Sequence, residues 1–169
     1  MDSFPAIEID KVKAWDFRLA NINTSECLNV AYGVDANYLD GVGVSITSIV
    51  LNNRHINLDF YIIADVYNDG FFQKIAKLAE QNQLRITLYR INTDKLQCLP
   101  CTQVWSRAMY FRLFAFQLLG LTLDRLLYLD ADVVCKGDIS QLLHLGLNGA
   151  VAAVVKDVEP MQEKAVSRL

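Results

Sequence analysis

No run of apolar residues in this 169-residue chain reaches the roughly 20 that a membrane-spanning helix needs. The chain therefore reads as soluble or at most peripheral. Dense Lys/Arg tracts are missing too. With 16 basic against 19 acidic residues the formal charge is -3, so nothing favours a nucleic-acid partner. The opening, MDSFPAIEIDKVKAW, has acids where a secretory signal needs basic residues, and no apolar core follows. Histidine is scarce: His55 and His144 stand singly in ordinary settings. Cysteine is limited to Cys27, Cys98, Cys101 and Cys135, which without a secretory signal read as reduced thiols of a cytosolic protein. Cys98 and Cys101 have the spacing of a redox or zinc half-site. A redox pair opens a helix directly after a strand, whereas this one follows the polar loop NTDKLQ. Zinc would have to draw its other ligands from scattered positions. The pair reads as two thiols in a loop.

What is present is a chain about half apolar and one-fifth charged, enough for one globular domain and too short for two comfortable ones. Residues 1–26 read as an N-terminal extension with a weak helical pattern over 10–19. Short apolar runs at 27–33 (CLNVAYG), 58–65 (LDFYIIAD) and 84–91 (LRITLYRI) read as strands. Between them, 39–53 carries Val42, Ile46, Ile49 and Val50 at helical spacing. Small residues at Gly41, Gly43 and Ser45 would let that helix approach a strand or a ligand. Residues 69–83 form an amphipathic pattern with Asp69 placed to cap it. A strongly apolar helix is expected over 105–120, closing on Gly120. Then come a strand, RLLYLDADVV (125–134), a short helical turn at 138–145, a strand at 149–157 and the start of a helix at 160–169. Strands alternating with helices at these lengths imply an α/β fold with a mainly parallel sheet covered on both faces, a Rossmann-like nucleotide-binding architecture. Ligands in such sheets bind at the C-terminal ends of the strands, where the winding order reverses.

Two loops at those ends carry acids: Asp35 after the first apolar strand, and Asp130 with Asp132 after LLYL. On an extended chain, residues two apart share a face, about 6.5–7 Å apart at Cα. Two carboxylates so placed repel each other unless a cation neutralises them. Mg2+ and Mn2+ suit one or two carboxylates with substrate phosphates completing the shell. The rival reading is a strand end emerging into solvent with two capping acids, since Asp-x-Asp is short and common.

The residues also carry a resemblance. LLYLDADVVCKGDISQLLHL is similar to the Asp-x-Asp strand of the family-eight glycosyltransferases, enzymes of the GT-A fold. NVAYGVDANYLDGVGVSITSIV resembles their nucleotide-binding opening, and YFRLF the segment ahead of the metal strand. The matches follow the family's order from about residue 27 to the end. Within the family the likeness is to the lipopolysaccharide core α-1,2-glucosyltransferases of Gram-negative bacteria. The resemblance implies a retaining hexosyltransferase that moves glucose from UDP-glucose to the lipopolysaccharide outer core, with residues 27–169 as the nucleotide-sugar-binding part. It implies a Mg2+ or Mn2+ ion on Asp130 and Asp132. Gly33, Asp35, Asn37, Tyr38, Arg112, Asp130 and Ala131 would line the donor, with Tyr38 beside the uracil and Arg112 near the diphosphate. Arg107 competes with Arg112 for that last role. Such an enzyme would work in the cytoplasm, peripherally at the cytoplasmic face of the inner membrane.

Departures from the family pattern accompany this. The family's third metal ligand, a histidine, and its diphosphate lysine lie further along than Leu169, as do the acceptor-facing residues. The expectation is an N-terminal part, C-terminal portion missing, that binds UDP weakly and turns over nothing measurable. UDP-glucose and UDP-galactose differ by one hydroxyl configuration, which these residues do not decide between. Two other classes fit parts of the pattern. In a haloacid-dehalogenase-type phosphohydrolase, Asp130 would be the nucleophile and Asp132 the acid and base. That motif belongs on the first strand and continues with Gly-Thr, unlike Val133 and Val134 here. The third class is a non-catalytic nucleotide-binding module.

Overall fold

The computed structural model describes residues 7–18, 26–102 and 106–155. Strands β2 (Cys27–Val34) and β3 (Asn57–Ala64) are buried at nearly every position, as near-continuous apolar runs covered on both faces must be. They lie in a five-stranded sheet with β1 (Ile9–Asp16), β4 (Arg85–Ile91) and β5 (Leu127–Tyr128), in the order β1-β4-β3-β2-β5. Strands β2 to β5 are parallel, with Val30 opposite both Phe60 and Leu127, and Phe60 opposite Ile86.

Side chains alternate between the two faces of a strand, and that alternation divides the core. Val30, Tyr32, Phe60, Ile62, Ile86 and Leu88 pack under α1 (Leu39–Asn52) and α2 (Asp69–Asn82). Ala31, Tyr61 and Ile63 face the other way, under α3 (Phe111–Leu119). The result is the three-layer α/β arrangement that the alternation of apolar runs implied.

Several local expectations are corrected. The N-terminal helical pattern is a strand: β1 pairs antiparallel with β4, and the register shifts between Lys11 and Lys13. The extra residue, Val12, breaks the two-residue alternation, so Ile9, Val12 and Trp15 fall three apart and imitate a helix. The cap of α2 is Asn68, whose side chain accepts from the Phe71 N–H at 2.8 Å; Asp69 lies in the first turn. Helix α3 is shorter than 105–120, being preceded by a 3-10 turn at Arg107–Tyr110. Gly120 has φ -65°, so it is not a left-handed cap; a Cβ there would meet the Phe116 carbonyl at 2.6 Å. The strand expected over 125–134 stops at Tyr128. Residues 149–155 form no strand, and Val151, Val154 and Val155 stand almost fully exposed. A strand needs a ladder partner, and none of the described residues supplies one there. Residues 156 and 157 and the helix expected at 160–169 lie outside the described residues. No helix among the described residues is long and apolar enough to cross a membrane.

Candidate functional site

The sheet order locates the mouth. From β2 the chain winds outward through β3 to β4, then returns to the other side of β2 with β5. The winding therefore reverses between β2 and β5, and the crevice beyond their C-terminal ends is the switch point where parallel sheets take ligands. Asp35 follows β2 directly, and Asp130 lies two residues past β5. The strand-end acids singled out in the sequence thus flank one crevice.

On the β2 side, Asp35 is pinned by two hydrogen bonds. Its Oδ1 accepts from the Asn37 N–H at 3.0 Å, capping a 3-10 turn at Ala36–Tyr38, and its Oδ2 accepts from Ser106 Oγ at 2.7 Å. Ser106 leads into the segment that carries Arg112, so the two walls are tied together. Asn37 and Tyr38 are exposed, Tyr38 by 55%. An exposed aromatic ring at a crevice rim is available to stack on a planar ligand.

On the β5 side the geometry differs from an extended strand. Asp130 C=O accepts from the Val133 N–H at 3.2 Å, so residues 130–133 close a turn. Asp130 and Asp132 are both exposed. The strand ends before the acids, which stand on a turn at its mouth. Ala131 between them is buried, with its carbonyl only 3.0 Å from where a Cβ on Gly41 would be. The small residue at 41 lets the first turn of α1 sit on the acid-bearing turn. Gly43 faces open space, and Ser45 is buried with its hydroxyl 3.0 Å from Tyr32 Oη.

Arg112 projects from α3 to Asp130, Nη2 to Oδ1 at 2.9 Å. Its guanidinium lies over the Tyr128 ring, 5.2 Å from the centroid. Tyr128 in turn donates to the Gly33 carbonyl at 3.5 Å, and burial pushes its hydroxyl pKa upward. A Cβ on Gly33 would lie 2.7 Å from both Phe111 Cβ and Tyr128 Oη. Gly33 is therefore where α3 and Tyr128 close onto β2. Arg107, the competing basic residue, instead donates to the carbonyls of Leu96 (3.0 Å) and Gln97 (3.4 Å).

One acid escaped the sequence reading. Asp65 follows β3 directly, and Ala64 pairs with Val34, so Asp65 stands next to Asp35 at the same edge. One of its carboxylate oxygens is buried without a hydrogen-bond partner. Burial raises its pKa, and the Asp35 charge adds to the rise. The signal was available: FYIIAD has the same apolar-run-then-Asp form as the other two strand ends.

The donor set fits a hard divalent cation in part. Asp130 and Asp132 offer exposed carboxylate oxygens, the ligand type that Mg2+ and Mn2+ take, and exposure leaves room for water and phosphate ligands. No group of three or more His, Cys, Asp or Glu residues able to hold a metal occurs among the described residues. Two clefts lie elsewhere: one of about 420 Å³ at the opposite end of the strands, near Arg18, Asn53 and Leu84, and one of about 680 Å³ between α1 and α2.

Known proteins share both the sequence and the fold. The chain is 39% identical over 163 residues to a lipopolysaccharide 1,2-glucosyltransferase of Escherichia coli, an alignment covering 96% of this chain and 46% of that protein. It is 38% identical to a lipopolysaccharide 1,3-galactosyltransferase of Salmonella typhimurium, covering 85% of this chain and 43% of that one. The chain thus spans less than half the length of these curated relatives. Among solved structures, the galactosyltransferase LgtC in complex with donor and acceptor sugar analogs superposes with a TM-score of 0.61 at 20% identity, over 71% of this chain and 43% of that one. The bifunctional glycosyltransferase WbbM superposes with a TM-score of 0.57 at 22% identity, over 77% and 23%. At such identities the likeness speaks for the fold, which is the GT-A type of α/β domain. These matches favour a transferase over the phosphohydrolase. Residues 29–168 match the family model described as glycosyl transferase family 8, and the chain belongs to that family.

Proposed function

We propose that this chain is the donor-binding part of a hexosyltransferase that moves glucose from UDP-glucose to the lipopolysaccharide outer core with retention at the anomeric carbon. The observation that carries the reading is the meeting of Arg112 and Asp130 at the switch point of a parallel sheet. A base and an acid side by side at such a mouth match a ligand that is itself a diphosphate with a cation. The names of the relatives, two lipopolysaccharide glucosyltransferases at 39% identity and one galactosyltransferase at 38%, support the acceptor class and favour glucose over galactose.

In this reading Tyr38 stacks on the uracil while Asp35 and Asn37 meet its polar edges. Gly33 and Ala131 offer backbone at close range. Arg112 presents two parallel donors to the diphosphate, which a guanidinium does at any accessible pH. Asp130 and Asp132 would hold Mg2+ or Mn2+, which supplies Lewis-acid neutralisation of the charge that gathers on a departing UDP. An acceptor anchored in lipid calls for work in the cytoplasm, peripherally at the cytoplasmic face of the inner membrane.

The test is saturation-transfer NMR with Mg2+ and UDP-glucose, UDP-galactose or GDP-mannose, on the wild type and on Asp132→Ala. Uracil and ribose signals for both UDP-sugars, strongest with UDP-glucose and reduced in the variant, are expected. Equal signals from GDP-mannose, or none from any donor, would refute the reading.

A further inference from the structure

The Arg112–Asp130 contact has a second consequence, which rests on the reading of Asp130 and Asp132 as cation ligands. We infer that Arg112 is a placeholder for the divalent cation: without nucleotide it occupies Asp130, and an arriving nucleoside diphosphate draws the guanidinium away and frees that carboxylate. Metal and nucleotide then bind as a pair, each poorly without the other.

Four observations lead there. The pair is a charge-assisted hydrogen bond from Nη2 to Oδ1 at 2.9 Å, so it claims an oxygen a cation would need. Both side chains are substantially exposed, 45% for Arg112 and 57% for Asp130. An exposed pair of this kind is worth a factor of only about two to five in an equilibrium constant, strong enough to compete with a weakly held ion and weak enough to yield. The guanidinium rests on the Tyr128 ring at 5.2 Å, and that ring is itself held against Phe116 at 5.8 Å between centroids and at the Gly33 carbonyl. Arg112 therefore has a fixed apolar platform from which its charged end can swing. Finally, three further acids stand at the same strand ends, Asp35, Asp65 and Asp132. Arg112 is thus the cation that offsets Asp130 until another arrives.

Competition for one carboxylate creates a coupling that must be reciprocal. A diphosphate that takes Arg112 raises the affinity for the cation, and the cation that takes Asp130 releases Arg112 to the diphosphate. Removing the guanidinium should move the two affinities in opposite directions. A residue that merely shaped the turn would weaken both.

The experiment measures free Mn2+ by electron paramagnetic resonance during titration of this chain, with and without saturating UDP. The proteins are wild type, Arg112→Gln, Arg112→Lys and Arg107→Gln. Arg112 is exposed, so its replacement leaves the core intact. Without nucleotide, Arg112→Gln should bind Mn2+ about two- to fivefold more tightly than wild type. With saturating UDP the two should bind Mn2+ alike, because the diphosphate has already drawn the wild-type guanidinium off Asp130. Without nucleotide, Arg112→Lys, which keeps the charge but not the fork, should fall between, and Arg107→Gln should match wild type in both conditions. An unchanged or weaker nucleotide-free affinity in Arg112→Gln overturns the inference while leaving the donor site standing, provided wild type binds Mn2+ with UDP. Absence of Mn2+ binding by wild type even with UDP removes the cation reading and this inference together.

Discussion

A single carboxylate shows how the mouth trades stability for polarity. Asp65 keeps one oxygen buried without a partner, and its folded pKa is raised, chiefly by burial and further by Asp35. The folded carboxyl holds its proton to higher pH than the unfolded one, whose pKa is about 3.9. Between those values the folded state binds more protons, so stability falls as pH rises through that window and stays lower above it. Asp65→Asn keeps the shape and removes the titration. In thermal melts it should gain on wild type between pH 3.5 and pH 7, with most of the gain present by pH 7. A variant that loses ground at pH 7 would show the charge to be satisfied after all. Gly33 illustrates the opposite constraint: its lack of a Cβ is what allows Phe111 and Tyr128 to reach β2, so Arg112 depends on a residue it never touches.

Helix α1 is the cradle of the acid-bearing turn. At its start Gly41 sits on the Ala131 carbonyl. Further along, Ser48 Oγ accepts from the Cys135 N–H at 2.9 Å and Asn52 Nδ2 donates to the Cys135 carbonyl at 3.1 Å. At its end the fully buried Asn53 donates to the carbonyls of Ile49 (2.9 Å) and Gly137 (3.3 Å) and accepts from the Ile139 N–H at 2.8 Å. The segment after Asp132 is thus stapled along the helix. Asn53→Ala leaves backbone groups unpaired in the interior and should cost about 1–3 kcal/mol in urea unfolding. A loss within about 0.5 kcal/mol, typical of a neutral surface change, would deny the staple. Of these elements, α1 and the buried parallel strands were legible because their apolar periods are clean. β1 was hidden because the bulge at Val12 gave it a helical spacing. The turn at 130–133 was hidden because Val133 and Val134 continue an apolar run that the backbone abandons, and only tertiary contact with Gly41 shows why. Residues 149–155 read as a strand on composition alone, and composition does not supply a ladder partner.

Across the whole molecule the two ends of the parallel strands are built for different purposes. The N-terminal end is closed by a buried ion network: Asp59, 1% exposed, lies between Arg85 and Arg18, and Arg85 also donates to Tyr61 Oη at 2.7 Å. Burial pushes the Asp59 carboxyl up while the two guanidiniums oppose the shift, and the adjacent Cys27 thiol is pushed up to about 12. Arg18 lies two residues past the end of β1 and also pairs with Asp16, so this network binds the antiparallel edge strand to the middle of the sheet. At the C-terminal end stand the half-buried Asp35 and the exposed Arg112, Asp130 and Asp132. The switch point itself was legible as a rule about parallel sheets; which two strands make it follows only from β5 crossing to the far side of β2. The most direct measurement is calorimetric titration of UDP into this chain with and without Mn2+, repeated on the Asp130→Asn, Asp132→Asn double variant. Binding that requires Mn2+ and is lost in the double variant is the expected result. Binding of equal strength without metal and in the double variant, or no binding at all, would contradict a diphosphate site at this mouth.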